Sequence, residues 1–199
     1  FVNSSEEIFA TVKPWVAEIH RPLTAPEELD YSAPDEALRL QWLYGIRVSD
    51  VRGTLRYTAD GDVIYPATSA VVVYTKSKHR QRHFMDHKHE VVSIAIHPNG
   101  NIVATGEVGE KPSVLLWNTR TLKQIQAMST VMKGAVSLLS FSPDGKRLAC
   151  VADDTFHCLI VYEWEAGKIL FKDQIGRQKV FDCQFIDGSR IFTCGLNNV

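Results

Sequence analysis

Four histidines, His79, His83, His87 and His89, crowd eleven positions, and three of them recur at every fourth residue. On a helix that spacing would place three imidazoles on one face, as a metal site requires. The flanking residues read as strand and loop, where the rings diverge, and no cysteine is near enough to complete a closed zinc site. Exposed loop histidines without a metal are therefore expected. Gly106 to Ser113 (GEVGEKPS) has the outline of a phosphate loop, but its glycine spacing is wrong and Pro112 stands where a helix should open. The carboxylate pairs Glu6-Glu7, Glu27-Glu28 and Asp153-Asp154 fall in loops or in the N-terminal arm. Nothing directs two of them at one cleft, as general acid–base catalysis needs. No catalytic residue, cofactor site or metal site follows from these patterns, and the expectation is a protein that is not an enzyme.

One charge cluster stands out. In KSKHRQRHFMDHKH the cations Lys76, Lys78, Arg80, Arg82 and Lys88 are opposed by Asp86 alone. Such a patch can grip an acidic partner with salt-sensitive affinity. Formal net charge is only -1, so no global field favours nucleic acid or membrane. With Phe84 as its one aromatic, the cluster is a poor platform for stacking bases. No apolar run is long enough to cross a membrane as a helix. The residues before Val16 lack the basic and apolar regions of a secretion signal.

The elements that must position these residues repeat. VVSIAIHPNGNIVATG (91–106) matches VSLLSFSPDGKRLACV (136–151), with Ile96 and Phe141 displaced by 45 positions. KVFDCQFIDGSRIFTCG is a third copy with a turn one residue shorter. Each copy alternates apolar residues, turns at Pro-Asn-Gly or Pro-Asp-Gly, and alternates again, which is a hairpin. Apolar runs at 114–117 and 159–164 add a third strand, and 122–125 and 168–171 a fourth. Four short strands per roughly 45 residues are the blade of a WD40-type β-propeller. A β-sandwich would not demand the same turn and the same aromatic at fixed displacement. Asp86-His87 stands where a blade opens with Gly-His, and the third strands end in Trp117-Asn118 and Trp164-Glu165. The buried hydrogen-bond network of such blades is therefore incomplete on sequence. Cys150, Cys158, Cys183 and Cys194 form no C-x-x-C pair and are expected as reduced core residues.

Ahead of the repeats lies Leu38-x-Leu40-x-Trp42-x-Tyr44-Gly45-x-Arg47, then Asp50-x-Arg52, with Gln81-Arg82-His83 following. This order resembles the hydrophobic HELP motif of the echinoderm microtubule-associated-protein-like family, leading into its WD repeats. Val12-Lys13-Pro14-Trp15 resembles the linker of members carrying several such modules. The resemblance implies tubulin or microtubules as partner, other proteins at the propeller faces, and a structural scaffold in the cytoplasm, the cytoskeleton or a ciliary axoneme. A protein-interaction scaffold with no tubulin contact is the alternative. It also implies that Leu38, Leu40, Trp42, Tyr44, Gly45, Arg47, Asp50 and Arg52 stitch blades together, with Leu40, Trp42 and Tyr44 buried and the charges paired.

The expected fold is all-β. Residues 1–35, with four prolines, form an extended linker arm. Residues 36–89 hold the motif and a first blade, 90–134 and 135–178 two WD-type blades, and 179–199 the start of another. A ring cannot close on that number, so an incomplete ring from a longer chain, with an open edge, is expected.

Overall fold

In the computed structural model, residues 36–130 and 133–196 are described; the linker expected at 1–35 lies outside them. The described residues form fourteen strands and one 3-10 turn, Lys76–Lys78. β1 (Arg56–Tyr57), β2 (Val63–Ala67), β3 (Ala70–Thr75) and β4 (Arg80–Phe84) make one antiparallel sheet in sequence order. β5 (Val91–Ile96), β6 (Ile102–Gly109), β7 (Ser113–Asn118) and β8 (Gln124–Ser129) make the second. β9 (Gly134–Phe141), β10 (Arg147–Ala152), β11 (Cys158–Glu163) and β12 (Lys168–Gln174) make the third. β13 (Val180–Phe185) and β14 (Ile191–Gly195) form a hairpin. A short ladder, Val108 to Ala135 and Gly109 to Gly134, joins the second sheet to the third.

Successive sheets stack face to face, which explains the unbroken apolar runs: a strand covered on both faces has no polar side. In β7, Leu115 and Trp117 point toward the first sheet, packing with Val71, Val73 and Phe84. Val114 and Leu116 point the other way, toward Leu148, Cys150 and Ile160 of the third. β10 repeats the pattern, with Ala149 and Val151 turned toward Cys183 of the hairpin. Each fully buried large side chain contributes roughly 1.5–3 kcal/mol. This is a fan of blades, a partial β-propeller.

The recurring turns have a shared task. Gly100 (φ +71) and Gly145 (φ +75) adopt the left-handed conformation that closes each hairpin. A Cβ on Gly100 would sit 2.5 Å from the Cβ of Ala59 in the first sheet's turn, and one on Gly145 would sit 2.3 Å from the His97 ring. Each hairpin thus leans on the turn of the blade before it. The Ala59 amide donates to the Gly100 carbonyl at 3.0 Å, and His97 Nε2 contacts the Gly145 carbonyl at 3.0 Å. Gly188, in the third copy, lacks the positive φ, consistent with its shorter turn.

Candidate partner-binding surface

The motif segment makes its seam through backbone rather than rings. Gln81 on β4 holds Leu43 with both ends of its amide: the Leu43 N–H donates to Oε1 at 2.8 Å, and Nε2 donates to the Leu43 carbonyl at 3.1 Å. The same Nε2 reaches the Tyr65 hydroxyl at 3.1 Å, and His83 Nε2 lies 3.2 Å from Oε1. Trp42 is half-buried, its ring 4.7 Å from His79 and 6.3 Å from both Tyr44 and Tyr74.

The expected burial of the motif's apolar residues is corrected here. Leu40 is 44% exposed and Tyr44 85% exposed, and Leu38 is also exposed. The segment belongs to no ladder among the described residues. Tyr74 on β3 and His79 at the turn that follows it are the ring partners that leave Trp42 half-buried. Gly45, at φ +103, occupies a backbone region that other residues avoid.

Of the motif's charges, Arg47 and Asp50 are paired, though at the surface, while Arg52, expected to be paired as well, has no ion pair among the described residues. Arg47 binds Asp50 through two guanidinium contacts, one of them Nε to Oδ1 at 2.6 Å, and reaches Glu90 at 2.6 Å. The guanidinium holds the Asp50 carboxyl down at about 2. Arg52 lies over the Phe181 ring, 4.8 Å from its centroid. These residues roof a cleft of about 490 Å³ whose floor includes Val92, Ser137 and Val180 on the innermost strands.

The five cations do not form one patch, a second correction. Lys76, Lys78 and Arg80 are exposed around the β3–β4 turn. Arg82 faces the neighbouring blade, bonding Asp62 at 3.1 Å and the carbonyls of Thr119 and Arg120 at 3.0 and 2.9 Å. Arg120 answers with a two-pronged pair to Asp60. Lys88 lies beyond the other end of β4, whose last residue, Phe84, is about 13 Å from Arg80 at the rise of an extended strand.

His87 is the histidine that sequence reasoning misplaced: it is buried. Trp117 Nε1 donates to Thr105 Oγ1 at 3.1 Å, and that hydroxyl lies 2.6 Å from His87 Nε2. His87 Nδ1 lies 3.0 Å from Glu107, which also accepts from Ser113. Burial alone would raise the Glu107 carboxyl, but Ser113 and His87 together hold it below its ordinary value. An ionised Glu107 can only accept, so Nδ1 carries the proton and Nε2 receives the Thr105 hydroxyl. Burial pushes the His87 imidazole down, keeping the ring neutral, while Glu107 opposes part of that shift. The network expected to be incomplete is therefore built, with Glu107 as the acid at its end. Its only sequence signal was the spacing of His87, Thr105 and Trp117.

The next blade lacks this network. Register places Tyr162 opposite Leu148, just as Trp117 stands opposite Val103, so Tyr162 and not Trp164 is the counterpart of Trp117. Cys150 replaces Thr105, and position 132, the counterpart of His87, is methionine. The Tyr162 hydroxyl is buried without a hydrogen-bond partner among the described residues. Trp164 instead donates to the Gly145 carbonyl at 2.6 Å. Cys150, Cys158 and Cys183 are buried free thiols, and burial pushes Cys183 up to about 12. Among the described residues no group of three His, Cys, Asp or Glu is placed to hold a metal.

A family model described as the echinoderm microtubule-associated protein first beta-propeller matches residues 80–199, and a HELP motif model matches 33–73. The 77 kDa echinoderm microtubule-associated protein of Strongylocentrotus purpuratus is 33% identical over 180 residues, covering 85% of this chain and 26% of that protein. Echinoderm microtubule-associated protein-like 1 of Homo sapiens is 30% identical over 185 residues, with 86% and 23% covered. Echinoderm microtubule-associated protein-like 2 of Mus musculus is 29% identical over 199, with 89% and 31% covered. The chain thus spans about a quarter of the length of these relatives. Among solved structures, hydrazine synthase of Kuenenia stuttgartiensis superposes with a TM-score of 0.63 at 16% identity, over 71% of this chain and 42% of that one. That likeness concerns the fold alone.

Proposed function

Because the chain belongs to the echinoderm microtubule-associated protein family, we propose that it serves a non-enzymatic scaffold that binds tubulin or microtubules in the cytoskeleton. A ciliary axoneme is one setting for that role. The observation that supports this reading most is the tandem match of the motif at 33–73 and the propeller at 80–199. The relatives' names associate them with microtubules, and the exposed cations at the β3–β4 turn suit tubulin's acidic surface. The blade organisation expected from the repeats, together with the seam made by Leu43, Arg47 and Arg52, supplies a stiff platform for those cations.

Co-sedimentation of the full-length protein with microtubules tests the proposal. Pelleting at low salt that weakens steeply as ionic strength rises is the expected result. No pelleting at low salt would reject it. Binding of other proteins without pelleting would favour the general scaffold instead, for which the cleft beneath Arg47 and Arg52 is the natural docking place.

A further inference from the structure

Asn99-Gly100 is the one place in the sequence where glycine follows asparagine. An asparagine loses its amide when the next residue's backbone nitrogen attacks it, and glycine offers that nitrogen with no Cβ to shield it. The pair sits at the tip of the β5–β6 hairpin, with Asn99 exposed to water. The folded turn nevertheless ties up the reacting groups. The Gly100 amide, the nucleophile, donates to the His97 carbonyl at 2.8 Å. Asn99 Oδ1 accepts from the Asn101 and Ile102 amides at 3.0 and 3.2 Å, which fixes the side chain. The Gly100 carbonyl accepts from Ala59 of the first sheet at 3.0 Å, so the turn moves only if the seam between the first two blades opens.

We infer that Asn99 is a deamidation site, closed while the first two blades are locked together and reactive when their seam parts. In the open turn Gly100 N gives its proton to solvent and attacks Asn99 Cγ. The Cγ–Nδ2 bond breaks, ammonia leaves, and a cyclic imide forms. Water then splits one of the two imide C–N bonds. One cleavage leaves aspartate in an unaltered chain; the other leaves isoaspartate, with the chain rerouted through Cγ. The fold distinguishes these products. The other two copies of the turn carry Asp144 and Asp187 at the same place. Asp144 Oδ1 accepts from the Lys146 amide at 3.1 Å, and Asp187 Oδ1 from the Ser189 and Arg190 amides at 2.8 Å each. Aspartate at position 99 meets the same arrangement, with charge-assisted bonds in place of neutral ones. Isoaspartate inserts a main-chain carbon ahead of Gly100, where space is short: even a Cβ on Gly100 would lie 2.5 Å from that of Ala59. Aspartate chains therefore relock, and isoaspartate chains stay ajar.

Full-length protein aged at mildly alkaline pH, folded or in urea, and mapped by peptide mass spectrometry supplies the test. Each hydrogen bond that must break is worth a factor of roughly two to ten, so the three at Asn99 and Gly100 should slow deamidation at least about tenfold in the folded protein. Asp60→Ala removes the partner of Arg120 across the same seam. It should speed the folded reaction about two- to fivefold and leave the rate in urea unchanged. Asn99→Asp should raise the urea midpoint and Asn99→Ala lower it. In aged folded protein, the fraction with fast amide exchange at Ala59 should match the isoaspartate content read by isoaspartyl methyltransferase labelling. Equal rates in folded and urea samples, or no acceleration by Asp60→Ala, would overturn the gating by the seam. An Asn99→Asp midpoint below that of the unaltered protein, or Ala59 protection indifferent to isoaspartate, would overturn the discrimination between products.

Discussion

Replacing Thr105 with valine is the sharpest test of the second blade. The two side chains have nearly the same shape, so the change removes a hydroxyl and little else. That hydroxyl accepts from Trp117 Nε1 at 3.1 Å and lies 2.6 Å from His87 Nε2. Trp117 and Thr105 are both 0% exposed, so water cannot replace either partner. Each stranded buried polar group costs about 1–3 kcal/mol. The added methyl returns up to about 1 kcal/mol of apolar burial. Taking about 1.5–2 kcal/mol within that range for each of the two stranded groups, Trp117 Nε1 and His87 Nε2, the net loss is about 2–4 kcal/mol, a large share of the roughly 5–15 kcal/mol that a domain possesses. Amide hydrogen exchange on the full-length protein reads it locally. Protection in β6 and β7 should fall by about 30- to 1,000-fold, since 1.4 kcal/mol is tenfold. Combining Thr105→Val with Trp117→Phe should be clearly less than additive, because the second change removes the stranded donor. Unchanged protection, or full additivity, would show that the hydrogen bonds joining His87, Thr105 and Trp117 do not stabilise the blade.

The third blade should respond in the opposite sense. Tyr162→Phe removes a buried hydroxyl that has no partner among the described residues, so it should be neutral or stabilising by up to about 1 kcal/mol in a urea melt; a clear loss of stability would mean the hydroxyl is satisfied. Gln81→Met keeps side-chain volume but frees the Leu43 backbone. Exchange at Leu43 should then accelerate with β7 unaffected, and an unchanged rate would refute the amide clamp. Stability should also depend on pH through His87. Its folded value lies below its ordinary 6.5 because burial disfavours the charged ring, so its contribution is complete above pH 6.5 and drains as pH falls through the folded value. Glu107 is likewise lowered, from 4.5, so its contribution fades only at still lower pH. A melting temperature flat from pH 8 to 7, declining below about 6.5, is expected. His87→Gln should remove the upper part of that decline, and an unaltered profile would dismiss the assignment.

Much of the fold is legible in the chain because blades are local objects. Ile96 and Phe141 announce their strands by alternation, and Gly100 and Gly145 announce their turns by needing a positive φ. Those signals depend on neighbours a few residues apart. The cation cluster was legible only as composition. Folding divided it, because Arg82 found Asp62 and the Thr119 carbonyl, partners 20 and 37 residues away. The motif rings were legible as hydrophobic, but burial depends on which distant side chains meet them: Trp42 meets Tyr74 and His79 and is half-buried, while Tyr44 is exposed.

Sequence by itself determined the strand periodicity, the spacing of the hairpins and the family pattern, since each is written in short-range order. Only the tertiary structure decided that Tyr162 and not Trp164 replaces Trp117 and that His87 is buried beside Glu107. Register and burial are set by which faces of distant strands meet, and a one-dimensional pattern holds no record of that meeting.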